Sequence, residues 1–205
     1  MNRWSKRIEE YRIVSLKKDF LDARANAETK ARDLLNNKMG NFDKHDVENF
    51  LEFCNTERVQ MDINTVNLRD NSTNTRFQLS FIGANKKNII NSLNDFNRWV
   101  PILWQTTEDM KELDRFWGYS HIKGAGTGLP TMVMYLKNPD KYNVWIPFLS
   151  EALSVFIGRK LDMKKNITNY MEFNDTLSSS IQRLRLQPKI MPQEIDYILY
   201  RIGRN

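Results

Sequence analysis

Apolar positions along the chain recur at helical rather than alternating spacing. Trp4, Ile8, Tyr11, Val14 and Leu21 fall on one stripe, and Ala27, Ala31, Leu34 and Leu35 continue it, so the first 36 residues read as helix. Asn36, Asn37 and Gly40 are stop signals. Asp43 caps a second helix, and Asp46 puts a negative charge at the positive end of its dipole. Val47, Phe50, Leu51 and Cys54 form the buried stripe of that helix, which makes Cys54 a small core residue rather than a nucleophile. These two helices are expected to form a hairpin, each covering the apolar face of the other.

The run Arg69 to Thr75 is polar and turn-forming and reads as a linker. Phe77, Leu79 and Phe81 alternate, but helical pattern follows closely, so a helical turn is expected there too. Ile89, Ile90, Leu93, Phe96 and Val100 are spaced as a helix, and Pro101 disfavours helix at the residue before it. A short helix fits Thr107 to Trp117, with Glu108 and Asp109 in its first turn. Further helices are expected after the glycine-rich turn (Leu129 to Leu136), around Phe148 to Leu161, and through Ile167, Tyr170, Met171, Leu177, Ile181 and Leu184. The last should start at Pro192 and end at Gly203. The fold class is all-α: an N-terminal helical hairpin over 1–68, a linker over 69–75 and a helical domain over 76–205.

Charge changes this picture. The 205 residues carry 31 Lys+Arg against 25 Asp+Glu, a net +6. Residues 1–75 hold 13 of each sign, whereas residues 76–205 hold 18 basic against 12 acidic, so the whole excess lies in the second part. An excess placed on one segment suits a polyanionic partner, nucleic acid before membrane. The apolar runs, such as Asn143 to Ser150, are far short of the roughly 20 residues that span a bilayer. The N-terminus lacks a signal-peptide pattern, and a cytoplasmic location follows as an expectation. The one cysteine, Cys54, excludes an internal disulfide and with His45 and His121 makes no conventional zinc site. No cofactor or structural metal is expected.

The densest chemistry lies in Phe116-Trp117-Gly118-Tyr119-Ser120-His121-Ile122-Lys123-Gly124-Ala125-Gly126-Thr127-Gly128-Leu129-Pro130. Gly124, Gly126 and Gly128 alternate between two helical patterns. Glycine permits positive φ and close approach of a backbone or a phosphate. The start of the next helix offers unpaired amides and a positive dipole end, to which Lys123 would add a charge and Thr127 a hydroxyl. A P-loop is excluded because Gly128-Leu129-Pro130 is not Gly-Lys-Ser/Thr. A dinucleotide fingerprint is excluded by the helical context. Trp99, Trp104, Trp117, Tyr119, Tyr142 and Trp145 flank the turn in sequence and suit either a pocket for an extruded base or a helical core. Trp99 and Trp104 read as core, whereas Trp117 and Tyr119, near Arg115 and Lys123, are site candidates.

The helix, Gly-small-Gly turn and second helix over Met110 to Leu136 resemble a helix-hairpin-helix motif, whose turn amides hold a DNA phosphate without reading bases. Ala125 stands where that family has a larger aliphatic residue, and Pro130 where a small helical residue is usual. With Tyr135-Leu136-Lys137-Asn138-Pro139-Asp140-Lys141-Tyr142, Glu151-Ala152-Leu153 and the closing Glu194 to Gly203, the chain also resembles a helical module of bacterial restriction proteins. That module is the N-terminal specificity region fused to modification-dependent restriction motors of the McrB type. The resemblance implies recognition of double-stranded DNA, modified or not, with a separate nucleotide-hydrolysing motor and a partner nuclease. It implies contacts from Arg115, Trp117, Tyr119, His121, Lys123, Gly124, Gly126, Thr127, Gly128 and Lys137.

Catalysis is not expected of the chain. Glycosylases of the helix-hairpin-helix superfamily place an aspartate in the segment after the hairpin, but Asn143-Val144-Trp145-Ile146-Pro147-Phe148 holds no acid. Lys137 is the only lysine in position to be a nucleophile, and one isolated lysine lacks the cationic neighbour or desolvation that would activate it. His121 has no identifiable partner, and Ser178-Ser179-Ser180 has no nucleophile-elbow sequence. Two alternatives stand beside DNA recognition: an assembly module acting through its long charged N-terminal helices, and a degenerate glycosylase-like protein.

Overall fold

A computed structural model of the chain describes residues 3–15, 18–54 and 83–204, apart from the side chains of Arg3, Val14 and Asp19. The described residues form α1 (Arg3–Ser15), α2 (Lys18–Lys38), α3 (Lys44–Cys54), α4 (Gly83–Asn91), α5 (Leu93–Gln105), α6 (Asp109–Tyr119), α7 (Gly128–Lys137), α8 (Pro147–Ile157), α9 (Ile167–Arg183) and α10 (Pro192–Gly203). The all-α expectation holds. None of these helices is long and apolar enough to cross a membrane. The linker expected at Arg69 to Thr75, the turn at Phe77 to Phe81 and the place of Val14 on its stripe lie outside the described residues.

Helix α7 organises the packing. All nine residues from Gly128 to Leu136 are buried. A helix apolar on every side has to sit inside the bundle, and α2, α5 and α6 pack around it. The single N-terminal helix expected over the first 36 residues is two, α1 and α2, whose main partners differ: α1 lies on α10 and α2 on α3. The α2–α3 hairpin closes as its sequence suggests. Asp43 Oδ1 accepts from the Asp46 amide at 2.8 Å while Asp46 Oδ2 accepts from the Asp43 amide at 3.0 Å, a reciprocal cap. Cys54 is fully buried, and desolvation pushes its thiol pKa up, out of the reactive range.

One helix runs where a break was expected. Pro101 lies inside α5, which continues to Gln105. The proline removes the amide that would bond the Asn97 carbonyl and crowds it sterically. Gly40, at φ +93°, packs over that notch: a Cβ there would stand 3.1 Å from the Asn97 carbonyl oxygen and 3.5 Å from the Pro101 ring. The Asn97 side chain then ties the loop down, accepting from the Phe42 amide at 2.7 Å and donating to the Phe42 carbonyl at 2.8 Å. The local cost of the proline is offset by contacts 55 residues away in sequence.

Helices on the two sides of residues 55–82 share one hydrophobic core. Buried charges join them. Glu194, fully buried, accepts from Arg12 Nε at 2.9 Å, Arg12 Nη2 at 3.0 Å, Ser15 Oγ at 2.9 Å and the Met191 amide at 2.9 Å. Arg24, 1% exposed, donates to Glu28 at 2.9 Å and to both Asp196 oxygens at 3.1 Å. Glu28 also accepts from Tyr135 Oη at 2.6 Å and from Arg32, which itself donates to the Leu136 carbonyl. The boundary expected at 69–75 therefore does not separate two cores. Formal charge cancels over residues 1–75, yet Arg12 and Arg24 spend theirs on acids of α10.

Candidate nucleic-acid interface

Helix α6 ends at Tyr119, and residues 120–127 turn the chain into α7. Ile122 and Ala125 fix the turn from inside: both are buried, and the Ala125 amide donates to the Ile122 carbonyl at 3.3 Å. A small residue at 125 thus lies under the turn. Gly124, at φ +83°, presses on α4, where a Cβ would lie 2.8 Å from the Asn85 carbonyl oxygen and 2.9 Å from its Cα. Its close approach is to protein backbone. Gly126, at φ +54°, faces open space; a Cβ there would meet only the Gly128 amide nitrogen, at 4.0 Å.

The first turn of α7 offers fewer amides than its position suggests. The Leu129 amide is bonded to the Ala125 carbonyl and the Thr131 amide to the Thr127 carbonyl, while Pro130 has none. What remains is a consecutive set: the amides of Gly126, Thr127 and Gly128 have no acceptor among the described residues. Gly124 and Gly126 are left-handed and Thr127 right-handed at this helix start, where consecutive free amides suit an anion.

The ten expected contact residues divide into two groups. Arg115, Tyr119, His121, Lys123 and Gly126 are exposed, on the end of α6 and the turn. Arg115 Nη1 donates to Glu112 at 2.8 and 3.1 Å, leaving Nε and Nη2 without an acceptor among the described residues. The others are engaged internally. Gly124 abuts Asn85, and Gly128 is buried at the start of α7. The Thr127 hydroxyl donates to the Trp145 carbonyl at 2.6 Å, so it adds no hydroxyl to an anion seat. Trp117 is half-buried, its ring 5.6 Å from Trp145 and 6.0 Å from Tyr170.

Lys137 is a structural lysine. Its ammonium donates to the carbonyls of Leu103 and Thr106 and to Asp109 at 2.6 Å, which ties the end of α5 and the start of α6 to the end of α7. Tyr142 donates to the other Asp109 oxygen. Burial pushes the Asp109 carboxyl pKa up, but hydrogen bonds from Lys137 and Tyr142 and the charges of Lys137 and Lys141 outweigh it and hold it below the ordinary value. A lysine saturated by two carbonyls and a carboxylate is neither a nucleophile nor a free phosphate contact.

No protein-family model, curated protein or solved structure matches the chain.

Two residues of this surface, Arg98 and Asn85, carry no mark in the local sequence. Arg98, exposed on α5, lies over the Trp99 ring at 5.3 Å and together with Trp99, Arg115 and Tyr119 lines an open cleft of about 440 Å³. It has no carboxylate partner among the described residues. Only the packing of α5 on α6 brings it beside Arg115, so no local signal marks it. Asn85, which shapes the turn, was missed for the same reason. Among the described residues no group of three His, Cys, Asp or Glu is placed to hold a metal ion.

Proposed function

We propose that the chain is a non-enzymatic DNA-recognition module of a bacterial restriction or defence system, acting in the cytoplasm with a nucleotide-hydrolysing motor and a nuclease that are fused to it or are its partners. It holds the phosphate backbone of duplex DNA at the 123–128 turn. The observation that carries this reading is the run of three acceptor-free amides, Gly126 to Gly128, with Lys123 and His121 exposed beside it. Backbone amides at a helix start together with one or two cations make a phosphate seat that is indifferent to base sequence. The basic excess of residues 76–205 supports it, as does the resemblance of the Met110 to Leu136 stretch to a helix-hairpin-helix.

The test is duplex binding by fluorescence anisotropy over a salt series. Lys123→Ala should weaken binding to all duplex sequences alike and lower the salt slope by about 0.9. Gly126→Asn keeps a residue type that tolerates the left-handed conformation while setting a side chain beside the amides, so it should weaken binding with little change in melting temperature. Wild-type affinity for duplex in both folded variants refutes the phosphate seat.

A further inference from the structure

The cleft between α5 and α6 is chemically different from the turn beside it. Its two guanidiniums come from different helices, Arg98 held over the face of Trp99 and Arg115 tethered at one nitrogen to Glu112. Its rim carries Tyr119, 67% exposed, which closes α6 and has no ring contact within the protein among the described residues. Its wall includes Trp99, 2% exposed, whose indole N–H is buried with no acceptor. Trp117, away from the cleft, has the same unpaired indole N–H, so the cleft is read from its two guanidiniums and Tyr119, with the Trp99 indole a reporter beside them. The volume of about 440 Å³ falls in the range of small-ligand sites, about 300–1,000 Å³.

We propose that this cleft binds one nucleotide, its phosphate on Arg98 and Arg115 and its base stacked on Tyr119. Guanidiniums recognise phosphate through paired hydrogen bonds, and an exposed aromatic ring is a stacking platform for any base. An inorganic anion would leave Tyr119 unused, and an apolar ligand would leave two cations unpaired. A stacked base requires an unpaired nucleotide, so the ligand is a free nucleotide or one exposed in a single strand. The inference shares with the proposed function only the premise that this face takes phosphate.

The full chain, ¹⁵N-labelled, reports through the indole resonance of Trp99, identified by its loss in Trp99→Phe. Adenosine 5′-monophosphate and a ten-residue oligothymidylate are titrated beside ribose 5-phosphate, inorganic phosphate and a blunt duplex. The expected result is a shift of the Trp99 resonance with the nucleotide or the single strand, at an affinity at least tenfold above that for ribose 5-phosphate. A response to the strand alone assigns the nucleotide to single-stranded nucleic acid; a response to both assigns it to the nucleotide itself. Tyr119→Ala should weaken binding about tenfold and Tyr119→Phe leave it unchanged, while Arg98→Gln weakens every phosphate-bearing ligand. Equal affinity for ribose 5-phosphate and the nucleotide, unchanged binding in Tyr119→Ala, or no shift with any of these ligands overturns the proposal. Duplex binding that is lost in Gly126→Asn but kept in Tyr119→Ala would stand even then, so the two readings fail separately.

Discussion

Thr127 illustrates how one hydroxyl can be spent only once. Beside a glycine turn it reads as a phosphate donor, yet its proton goes to the Trp145 carbonyl at 2.6 Å, fastening the start of α7 to the segment before α8. Thr131, one turn on, accepts from the Trp145 amide at 2.9 Å, so both backbone polar groups of Trp145 are met by these two threonines. Thr127→Val, close in shape, should leave the Trp145 carbonyl without its donor and cost about 1–3 kcal/mol, seen as a lower melting temperature. Its affinity for duplex DNA should match the wild type, because the hydroxyl takes no part in the proposed phosphate seat. A loss of duplex affinity without a loss of stability would mean that the hydroxyl leaves Trp145 for the ligand. The sequence marks the turn through its three glycines and cannot say which polar atoms are already committed, because Trp145 is 18 residues away. Lys137 is the same case, its partners lying 28 to 34 residues back.

At the scale of elements, helix ends were largely legible where local chemistry sets them. The Pro192 start of α10 and the Asp43 cap of α3 depend on residues within four of the boundary, whereas Gly203 at the end of α10 makes room for Phe148, where a Cβ would stand 2.9 Å from the ring. The passage of α5 through Pro101 was not legible, because Gly40 and Phe42, which receive that helix, come from another part of the chain. The elements are also joined by carboxylates whose ionisation matters. Desolvation raises the Glu28 pKa, but the charge of Arg24 and hydrogen bonds from Tyr135 and Arg24 outweigh it, and Glu28 titrates below its ordinary value of 4.5, as Asp109 does below 3.8. Protonation therefore favours the unfolded chain. The stability these groups confer is complete above about pH 4.5 and is lost as pH falls through the depressed folded values. Melting temperature should stay flat from pH 7 to 5 and fall below pH 4. Asp109→Asn should lower it at pH 7 and make the acid limb shallower; an acid limb of unchanged slope would show that Asp109 carries none of it.

Across the whole molecule, formal charge is a poor guide to independence. Residues 1–75 sum to zero, yet Arg12 pairs with the buried Glu194 and Arg24 with Asp196, both on α10. A count of charges cannot distinguish a solvated arginine from one at 1% exposure. Removing Arg12 leaves the Glu194 carboxylate buried without its counter-charge, at a cost of about 3–5 kcal/mol. Arg12→Met should lower stability by that amount, measured by urea unfolding, and a fragment of residues 76–205 should show no cooperative thermal transition. Cooperative melting of that fragment would restore the two-part organisation.

The Arg12–Glu194 pair also sets how such a chain is free to drift over generations. Positions 182 apart in sequence are held to a joint choice. Replacing both with apolar residues of similar volume is tolerable or even favourable, whereas every single-step route passes through a buried lone charge. Diverged relatives should therefore keep arginine and glutamate together or exchange them together. Paired exchange at these sites would mark common descent after the surface residues of the turn have diverged.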